Sequence, residues 1–206
     1  MPRPLKRQAF RPAVAIVGDG HTERIYFSDV RDTDRPANLS IFPDYPRKIG
    51  HYKGVIDRAV ALTENYDRVY ALIDMDKIIR DNQQNAYTAD KAAAKTRGVI
   101  VLENNPCFEI WLLVHFIYTG RLFNNCMEVA RQLRRNDRIP NYNKSEKFLQ
   151  NARLYNSYKH LLCQQAISNA KQLENDRDDQ DILFPRAQIF YFFDWYFEKV
   201  IPRIVL

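Results

Sequence analysis

The sequence predicts an α/β fold: a four-stranded parallel sheet with helices on both faces, followed by a C-terminal layer of helices. Three observations support this prediction. Short apolar runs alternate with amphipathic segments from residue 13 to residue 102, which is the pattern of β-α-β units. After residue 104 the strand patterns stop, and only helical spacing follows. The length of 206 residues leaves room for one ordinary domain with an extension.

The first β-α-β unit begins with an apolar run, Ala13–Val17, that ends in Gly-Asp-Gly, a pattern typical of a buried parallel strand entering a loop. Thr22 is placed to cap the helix that follows, and Glu23 lies in its first turn, where the helix dipole favours an acid. The second strand, Leu39–Phe42, has a weaker pattern and is closed by Pro43.

The rest of the predicted sheet contains its clearest strand. A helix over Tyr52–Tyr66 has apolar residues at helical spacing, and it precedes the apolar run Val69–Ile73. This run continues directly into Asp-Met-Asp. A polar helical stretch, Asn85–Thr96, then separates the third strand from the fourth, Gly98–Leu102.

Beyond the sheet, Asn-Asn-Pro at positions 104–106 is a strong helix start, because Asn caps helices and Pro suits their first turn. The helix that it opens, Cys107–Tyr118, is apolar almost all round and is expected to be buried. We expect an α/β core over residues 10–120 and a helical extension over residues 121–206 packed on it. Further helices are predicted over Met127–Arg135, Ser145–Tyr155, Tyr158–Glu174 and Arg186–Val200.

Cysteine usage and hydropathy bear on the cellular location. The three cysteines, Cys107, Cys126 and Cys163, stand far apart without a C-x-x-C pair. This spacing argues against a disulfide framework and against a cysteine-based zinc site, and it is typical of a reducing cytosol. The N-terminal segment lacks a secretory signal, and the apolar stretch 189–201 is too short and too charged to span a bilayer. We expect a cytoplasmic protein with no membrane association.

Positive charge is concentrated in one segment. The chain has a net charge of +6, and the segment Arg131–His160 has a net charge of +6 by itself, with aromatic residues between its basic ones. One interpretation is a surface that binds the backbone of a nucleic acid, with aromatics that stack on bases. The other is a solvated helical face with ordinary core aromatics, and composition favours neither. The candidate nucleic-acid-binding residues are Arg131, Arg134, Arg135, Arg138, Lys144 and Lys147.

Acidic residues follow two of the predicted strands. Asp19 and Glu23 come after the first strand, and Asp74 and Asp76 come after the third. If these strands are neighbours, as in sheets that begin in the order 2-1-3, the acids converge at one edge, where ligands bind in open parallel sheets. Such a cluster suits Mg²⁺ (or Mn²⁺). The alternative is that these acids are polar loop residues and that Asp76 only caps the next helix.

Three sequence stretches together resemble the RloB-like family. They are VGDGHTERIYF, YALIDMDK and ENNPCFEIWLLVHF, in this order and spacing, and the resemblance continues through IPNYNKSEKFL and QQAISNAKQL. The resemblance implies a Toprim-type fold and a role in bacterial restriction-linked and abortive-infection loci, and hence in antiviral defence. It also implies an ABC-type ATPase as a partner, and this chain has no G-x-x-x-x-G-K-[ST] loop of its own.

The resemblance also implies a site. Toprim-like folds place a glutamate after the first strand and D-x-D after the third, with Mg²⁺ between them, for phosphodiester chemistry. Asp74 and Asp76 match the D-x-D, and Asp19 stands where the motif has the longer Glu. Lys77 stands where the family commonly has a third acid, so one metal ion is expected. The implied metal ligands are Asp19, Asp74 and Asp76, and the implied catalytic set adds Glu23 and Glu109.

Four residues carry two interpretations each. Glu109 is either a fifth acid of the site or an acid that stabilises its helix dipole. His115, on an apolar helix, is more often a core residue than a ligand. His21 beside Asp19 is either a proton shuttle or an ordinary loop histidine. Lys144 either clamps a phosphate or is solvated.

These observations support a Mg²⁺-dependent, nuclease-like effector that acts on phosphodiester bonds of DNA or RNA in abortive infection. The alternative is a non-catalytic nucleic-acid-binding or regulatory subunit of an ATPase-containing defence complex. The Asp at position 19 and the Lys at position 77 motivate this alternative. A third class, an aspartyl-phosphate receiver, also places Asp residues at such sheet edges.

Overall fold

Five strands form one sheet in the computed structural model of the chain, which describes residues 11–46, 51–177 and 181–200. The strand order is β2-β1-β3-β4-β5. The first four strands pair in parallel, and the short β5 pairs antiparallel with β4. The strands are β1 (Ala13–Val17), β2 (Ser40–Asp44), β3 (Arg68–Asp74), β4 (Val99–Asn105) and β5 (Arg186–Ala187).

The α/β class and the mostly parallel sheet are confirmed, as is the adjacency of the first and third strands. The predicted number of strands was wrong by one. Arg186 and Ala187, expected to begin a helix, pair instead with the last two residues of β4. A strand of two residues has no periodicity of its own, so sequence patterning could not reveal it.

Ten α-helices lie in the described residues, and a π-helical turn over Leu162–Ala166 joins the eighth to the ninth. They are α1 (His21–Asp34), α2 (Tyr52–Leu62), α3 (Asp76–Arg80), α4 (Gln84–Thr96), α5 (Glu109–Leu113), α6 (Cys126–Leu133), α7 (Glu146–Ala152), α8 (Leu154–Leu161), α9 (Ile167–Asn175) and α10 (Phe190–Val200). None of these helices combines the length and the apolarity needed to cross a membrane.

The junction between β4 and α5 differs from the sequence prediction. The strand continues through Asn104 and Asn105, and α5 has only five residues rather than extending from Cys107 to Tyr118. The Asn104 carbonyl accepts a hydrogen bond from Met75 N, and the Asn105 side chain donates to the carbonyls of residues 182 and 184. These long-range bonds satisfy the polar groups in an extended conformation, so neither asparagine serves as a helix cap.

Alternate residues of each strand pack into one of two cores, one on each face of the sheet. On one face, α2 and α4 cover a smaller core that includes Ala15 and Val17. On the other face, α1, α5 and the helices from α6 onward enclose an aromatic core around Trp111, whose indole N–H donates to the Tyr26 hydroxyl at 3.0 Å. The aromatic core holds α1 and α5 beside the carboxyl ends of β1 and β3.

Two acids of α1 form hydrogen bonds to later helices on the face of the sheet that carries the aromatic core. Asp29 accepts hydrogen bonds from Arg153 Nε at 2.9 Å and from Asn156 N at 3.0 Å. Asp34 accepts from the hydroxyls of Tyr155, at 2.5 Å, and Tyr196, at 3.0 Å. These hydrogen bonds tie α1 to the start of α8 and to α10.

His115 generates a prediction about acid stability. It is 3% exposed beside Trp111, and burial lowers its pKa to about 4. The unfolded chain therefore takes up this proton from about pH 6.5 downward while the folded chain does not, so stability is lost as pH falls. At pH 5 the contribution is about 2 kcal/mol. The His115→Asn variant should lose less stability than the wild type between pH 7.5 and pH 5, by that amount, in urea unfolding.

The exposed His51 provides the control, since His51→Asn should leave the pH dependence of the wild type unchanged. Equal losses of stability in wild type and His115→Asn would show that His115 is not buried in its neutral form.

Candidate functional site

A cleft of about 230 Å³ lies at the carboxyl edge of the sheet, where β1 and β3 end. Asp19 follows β1, Asp74 ends β3, and Asp76 begins α3, and all three line the cleft. Their convergence follows from the pairing of β1 with β3, because the carboxyl ends of parallel strands meet at the same edge.

Glu23 lies behind the cleft, in the first turn of α1, and is 6% exposed. It packs against Gly18, where an added Cβ would stand 2.4 Å from Glu23 Cβ. Only glycine at position 18 therefore lets Glu23 approach the end of β1 this closely. Asp74 is fixed separately, since its Oδ1 accepts a hydrogen bond from Phe108 N at 2.8 Å.

Glu109, in the first turn of α5, is fully buried. Its Oε1 accepts a hydrogen bond from the Tyr142 hydroxyl at 2.7 Å and pairs with Lys144 Nζ at 2.8 Å. Tyr142 and Lys144 belong to the segment between α6 and α7, so this segment completes the site. A buried carboxylate requires such partners, because burial without them is strongly unfavourable.

Burial and mutual repulsion change the acid–base properties of the cluster. Burial, followed by the charges of Glu109 and Asp19, raises the pKa of Glu23 to about 7, against the opposing effects of a backbone hydrogen bond and of Lys144. The pKa of Asp74 is raised well above its usual value by burial and then by Glu23 and Glu109. The cluster therefore contains more negative charge than its surroundings neutralise, and a cation would relieve it.

Two further cleft residues have shifted pKa values. Burial is the main cause that raises the pKa of Asp76, and hydrogen bonding by the Lys77 backbone and the charge of Arg80 oppose it. Burial alone would lower the pKa of Lys144, but the neighbouring charges of Glu109 and Asp74 raise it overall. Lys144 is therefore held as an ammonium ion against the acids.

The five predicted acids thus occupy one neighbourhood, with three on the cleft wall and Glu23 and Glu109 behind them. His21 does not join them through its ring nitrogen: Nδ1 lies 2.7 Å from Glu146 Oε1 on α7. His115 belongs to the aromatic core. Asn104, predicted from sequence to belong to a helix start, instead lies in the last residues of β4. It is fully buried, and neither atom of its amide has a hydrogen-bond partner within the described structure.

The candidate nucleic-acid-binding residues do not form one uniform face. Arg131, Arg135 and Lys147 are exposed, and Arg135 pairs with Asp137 at 3.4 Å. Arg134 donates to the Tyr142 carbonyl at 2.8 Å. The basic residues at positions 3, 6 and 7 lie outside the described residues.

Two other candidates face inward. Arg138 is 7% exposed and donates to the Gln132 carbonyl at 2.9 Å, so little of its guanidinium is available to a phosphate. Lys144 binds Glu109 in the acidic site instead of extending a basic surface. The aromatics between the basic residues are core residues: Tyr142 and Tyr155 are buried, and Phe148 and Tyr158 are partly buried against the aromatic core.

The expectation of no disulfide was wrong. Cys107 and Cys126, 19 residues apart, are joined by a disulfide on the wall of the cleft, and Cys163 is exposed and not bonded. Spacing alone could not reveal this pair, because the chain must first leave the sheet through α5 and then return at α6. The proximity of these cysteines to Glu109 also removes the argument from spacing against a cysteine-based metal site.

Comparison with known proteins identifies a family. The family model described as RloB-like protein matches residues 14–190, which is most of the chain. The match begins in β1 and ends at the start of α10, so it includes every acid of the cleft. No curated protein and no solved structure gives a significant match.

The charge of Glu23 leads to a prediction about stability. With its pKa raised from the ordinary 4.5 to about 7 in the folded chain, Glu23 stays protonated there while the same residue ionises in the unfolded chain. The wild type therefore loses stability as pH rises from about 4.5 through 7. Glu23→Gln removes this loss, so its free energy of unfolding should exceed that of the wild type by about 3 kcal/mol at pH 8.5.

Urea unfolding at pH 8.5 and pH 5 measures this difference, which should become small at the lower pH. Glu64→Gln, on an exposed acid, is the matched control and should behave like the wild type at both values. A Glu23→Gln variant that is no more stable than the wild type at pH 8.5 would contradict the raised pKa of Glu23.

Proposed function

The chain belongs to the RloB-like family, and we propose that it is a divalent-metal-dependent, nuclease-like enzyme that acts on phosphodiester bonds. One observation carries this proposal: Asp19, Asp74 and Asp76 converge on one cleft, with buried Glu23 and Glu109 behind them. Like charges gather at such density mainly where a cation is to be bound.

The residues of the cleft fit Mg²⁺ or Mn²⁺. Carboxylate oxygens are the ligands that these hard cations prefer, and Mg²⁺ keeps several waters, for which the open cleft has room. The raised pKa of Asp74 indicates uncompensated charge at the cleft wall. Asp19, Asp74 and Asp76 would hold the ion. When bound, it would polarise a phosphate oxygen and lower the pKa of a bound water.

The chain's own residues position the reacting groups. The N–H of Phe108 donates to Asp74 Oδ1 at 2.8 Å and so orients a carboxylate that lines the cleft. Lys77 and Arg80 line the same cleft as the acids, so they supply positive charge toward a phosphate backbone. The acids would bind the metal ion and the basic side chains would bind the phosphodiester, so the cleft has groups for both.

A Toprim-type assignment of the fold is part of the proposal. An acid after β1 and Asp-x-Asp after β3, on adjacent parallel strands, support it. Asp19 stands where that motif has glutamate, and its side chain is one methylene shorter. A nucleic-acid substrate, an ABC-type ATPase partner and a role in abortive infection follow from the family resemblance. Gel filtration of the chain with an ABC-type ATPase of the kind that the resemblance implies tests the partnership, and two independent peaks would count against it.

A second candidate function is a non-catalytic nucleic-acid-binding or regulatory subunit. The position of Lys144 favours it, because an ammonium ion already pairs with Glu109 and partly neutralises the cluster. The short Asp19 and the Lys77 beside the Asp-x-Asp agree with this alternative. The two functions differ in whether the acidic site turns over a substrate.

The activity is tested with purified chain and Mg²⁺ or Mn²⁺ on DNA, RNA and tRNA. We expect metal-dependent cleavage that Asp74→Asn lowers by at least about 100-fold, since a metal ligand contributes at least as much as its supporting partners. Mg²⁺ should also raise the melting temperature of the wild type and leave that of Asp74→Asn unchanged, because ligands stabilise only the form that binds them.

Asp57→Asn, on an exposed acid of α2, is the control and should retain full activity. Cleavage that survives in Asp74→Asn, or that persists in a chelator, would remove the acidic cleft from the mechanism. Cleavage by Asp19→Glu but not by the wild type would support the non-catalytic alternative.

Nucleic-acid binding is tested by its salt dependence. Each phosphate contacted lowers log K by roughly 0.9 per unit of log salt for duplexes and about 0.7 for single strands. Replacing the exposed Arg131, Arg135 and Lys147 with Gln should therefore reduce the slope by about 2–3, in filter binding or fluorescence anisotropy. Base preference should not change, because phosphate contacts position the chain without specifying sequence.

A matched triple variant replaces three exposed basic residues elsewhere with Gln, and it should retain the wild-type slope. These residues are Arg35, Lys95 and Arg97. Equal slopes in the two triple variants would mean that the segment from residue 131 to residue 147 is an ordinary solvated face.

A further inference from the structure

Two cysteines and a glutamate meet on the wall of the acidic cleft. Cys107 precedes α5, Cys126 begins α6, and Glu109 begins α5. The two cysteine sulfurs and one carboxylate oxygen of Glu109 all lie within 4.8 Å of one another. Both cysteines line the cleft, so the cluster is open to small solutes on one side.

The two oxygens of Glu109 have different surroundings. Oε1 receives the Tyr142 hydroxyl at 2.7 Å and the Lys144 ammonium at 2.8 Å. Oε2 faces Cys126 Sγ at 2.8 Å. A disulfide sulfur carries no hydrogen, so it cannot donate to this oxygen, and Glu109 is fully buried. One oxygen is thus held in place by donors, while the other is directed at sulfur without receiving a hydrogen bond from it.

We propose that Cys107, Cys126 and Glu109 bind one Zn²⁺ ion when the cysteines are reduced, and that the disulfide is the metal-free form of this site. Thiolate sulfur and carboxylate oxygen are both ordinary zinc ligands. Glu109 Oε2 is the ligating oxygen, and the donors on Oε1 fix its orientation, as the outer partners of metal ligands commonly do. The side open to the cleft leaves the fourth position to water.

The charges of the three ligands, the ion and the ammonium bonded to Glu109 balance. Two thiolates and one carboxylate carry −3, Zn²⁺ carries +2, and the ammonium of Lys144 at Glu109 supplies the remaining +1. The conversion also balances in atoms and electrons. A dithiol reductant transfers two electrons and two protons to the disulfide and becomes a cyclic disulfide. The two cysteine thiols then release two protons as Zn²⁺ binds.

This site is separate in chemistry from the carboxylate site proposed for Mg²⁺ or Mn²⁺. Sulfur ligands select zinc over those harder cations, whereas Asp19, Asp74 and Asp76 offer only oxygen. The zinc proposal therefore does not depend on nuclease activity, and either proposal can fail without the other.

The test uses the full chain, reduced with a dithiol that is removed under anaerobic conditions before Zn²⁺ is added. After desalting, elemental analysis should find one zinc per chain in the reduced wild type and none above background in the oxidised chain. Cys107→Ser and Cys126→Ser should lose the zinc, and Cys163→Ser, which changes the exposed cysteine, should retain it. Glu109→Gln should bind zinc about 10–100-fold more weakly.

A thiol count on the wild type keeps the proposal testable if a cysteine variant does not fold. Cys107 is 1% exposed, so a thiol-reactive dye should label Cys126 and Cys163 of the folded reduced chain without zinc and only Cys163 with zinc. Co²⁺ in place of Zn²⁺ should give a near-ultraviolet sulfur-to-cobalt charge-transfer band. Reduced wild type that binds no zinc, or zinc-loaded chain in which Cys126 still reacts, would overturn the proposal.

Discussion

Negative charge buried at the carboxyl edge of the sheet is the constraint on which the rest of the structure depends. Two separate contacts hold Asp74 and Glu23 near each other. The backbone N–H of Phe108 binds Asp74, and Gly18, which has no side chain, lets Glu23 pack closely. Repulsion between them would separate the elements that carry them unless those elements were fixed elsewhere. The aromatic core around Trp111 fixes them, because it packs α1 and α5 against one face of the sheet.

The C-terminal half of the chain supplies groups that partly neutralise this negative charge. The segment between α6 and α7 brings Tyr142 and Lys144 to Glu109, and α6 itself brings Cys126 to Cys107. The packing of these segments against α5 therefore neutralises the buried Glu109 carboxylate and places the Cys126 sulfur beside it. Oxygen donors and sulfur donors both line this cleft, and such donor sets favour different cations. A single cleft thus combines two kinds of metal chemistry in our proposals.

Much of the acidic site could be predicted from sequence for a physical reason. The apolar runs of β1 and β3 end in acids, and strands buried on both faces must be nearly continuous in apolar residues. Once β1 and β3 are neighbours, parallel pairing alone brings Asp19 and Asp74 to one edge. The burial of the helix that carries Glu109 was predictable too, because residues 107–118 are apolar almost all round.

The sequence by itself determined the first four strands, their alternation with helices and the edge where the acids gather, because these depend on local periodicity and on strand direction. Only the tertiary structure decided the contacts between distant segments. The disulfide of Cys107 with Cys126 and the pairing of Lys144 with Glu109 each require the chain to return over many residues. No periodic pattern encodes such a return, since it is fixed by how whole helices pack against the sheet.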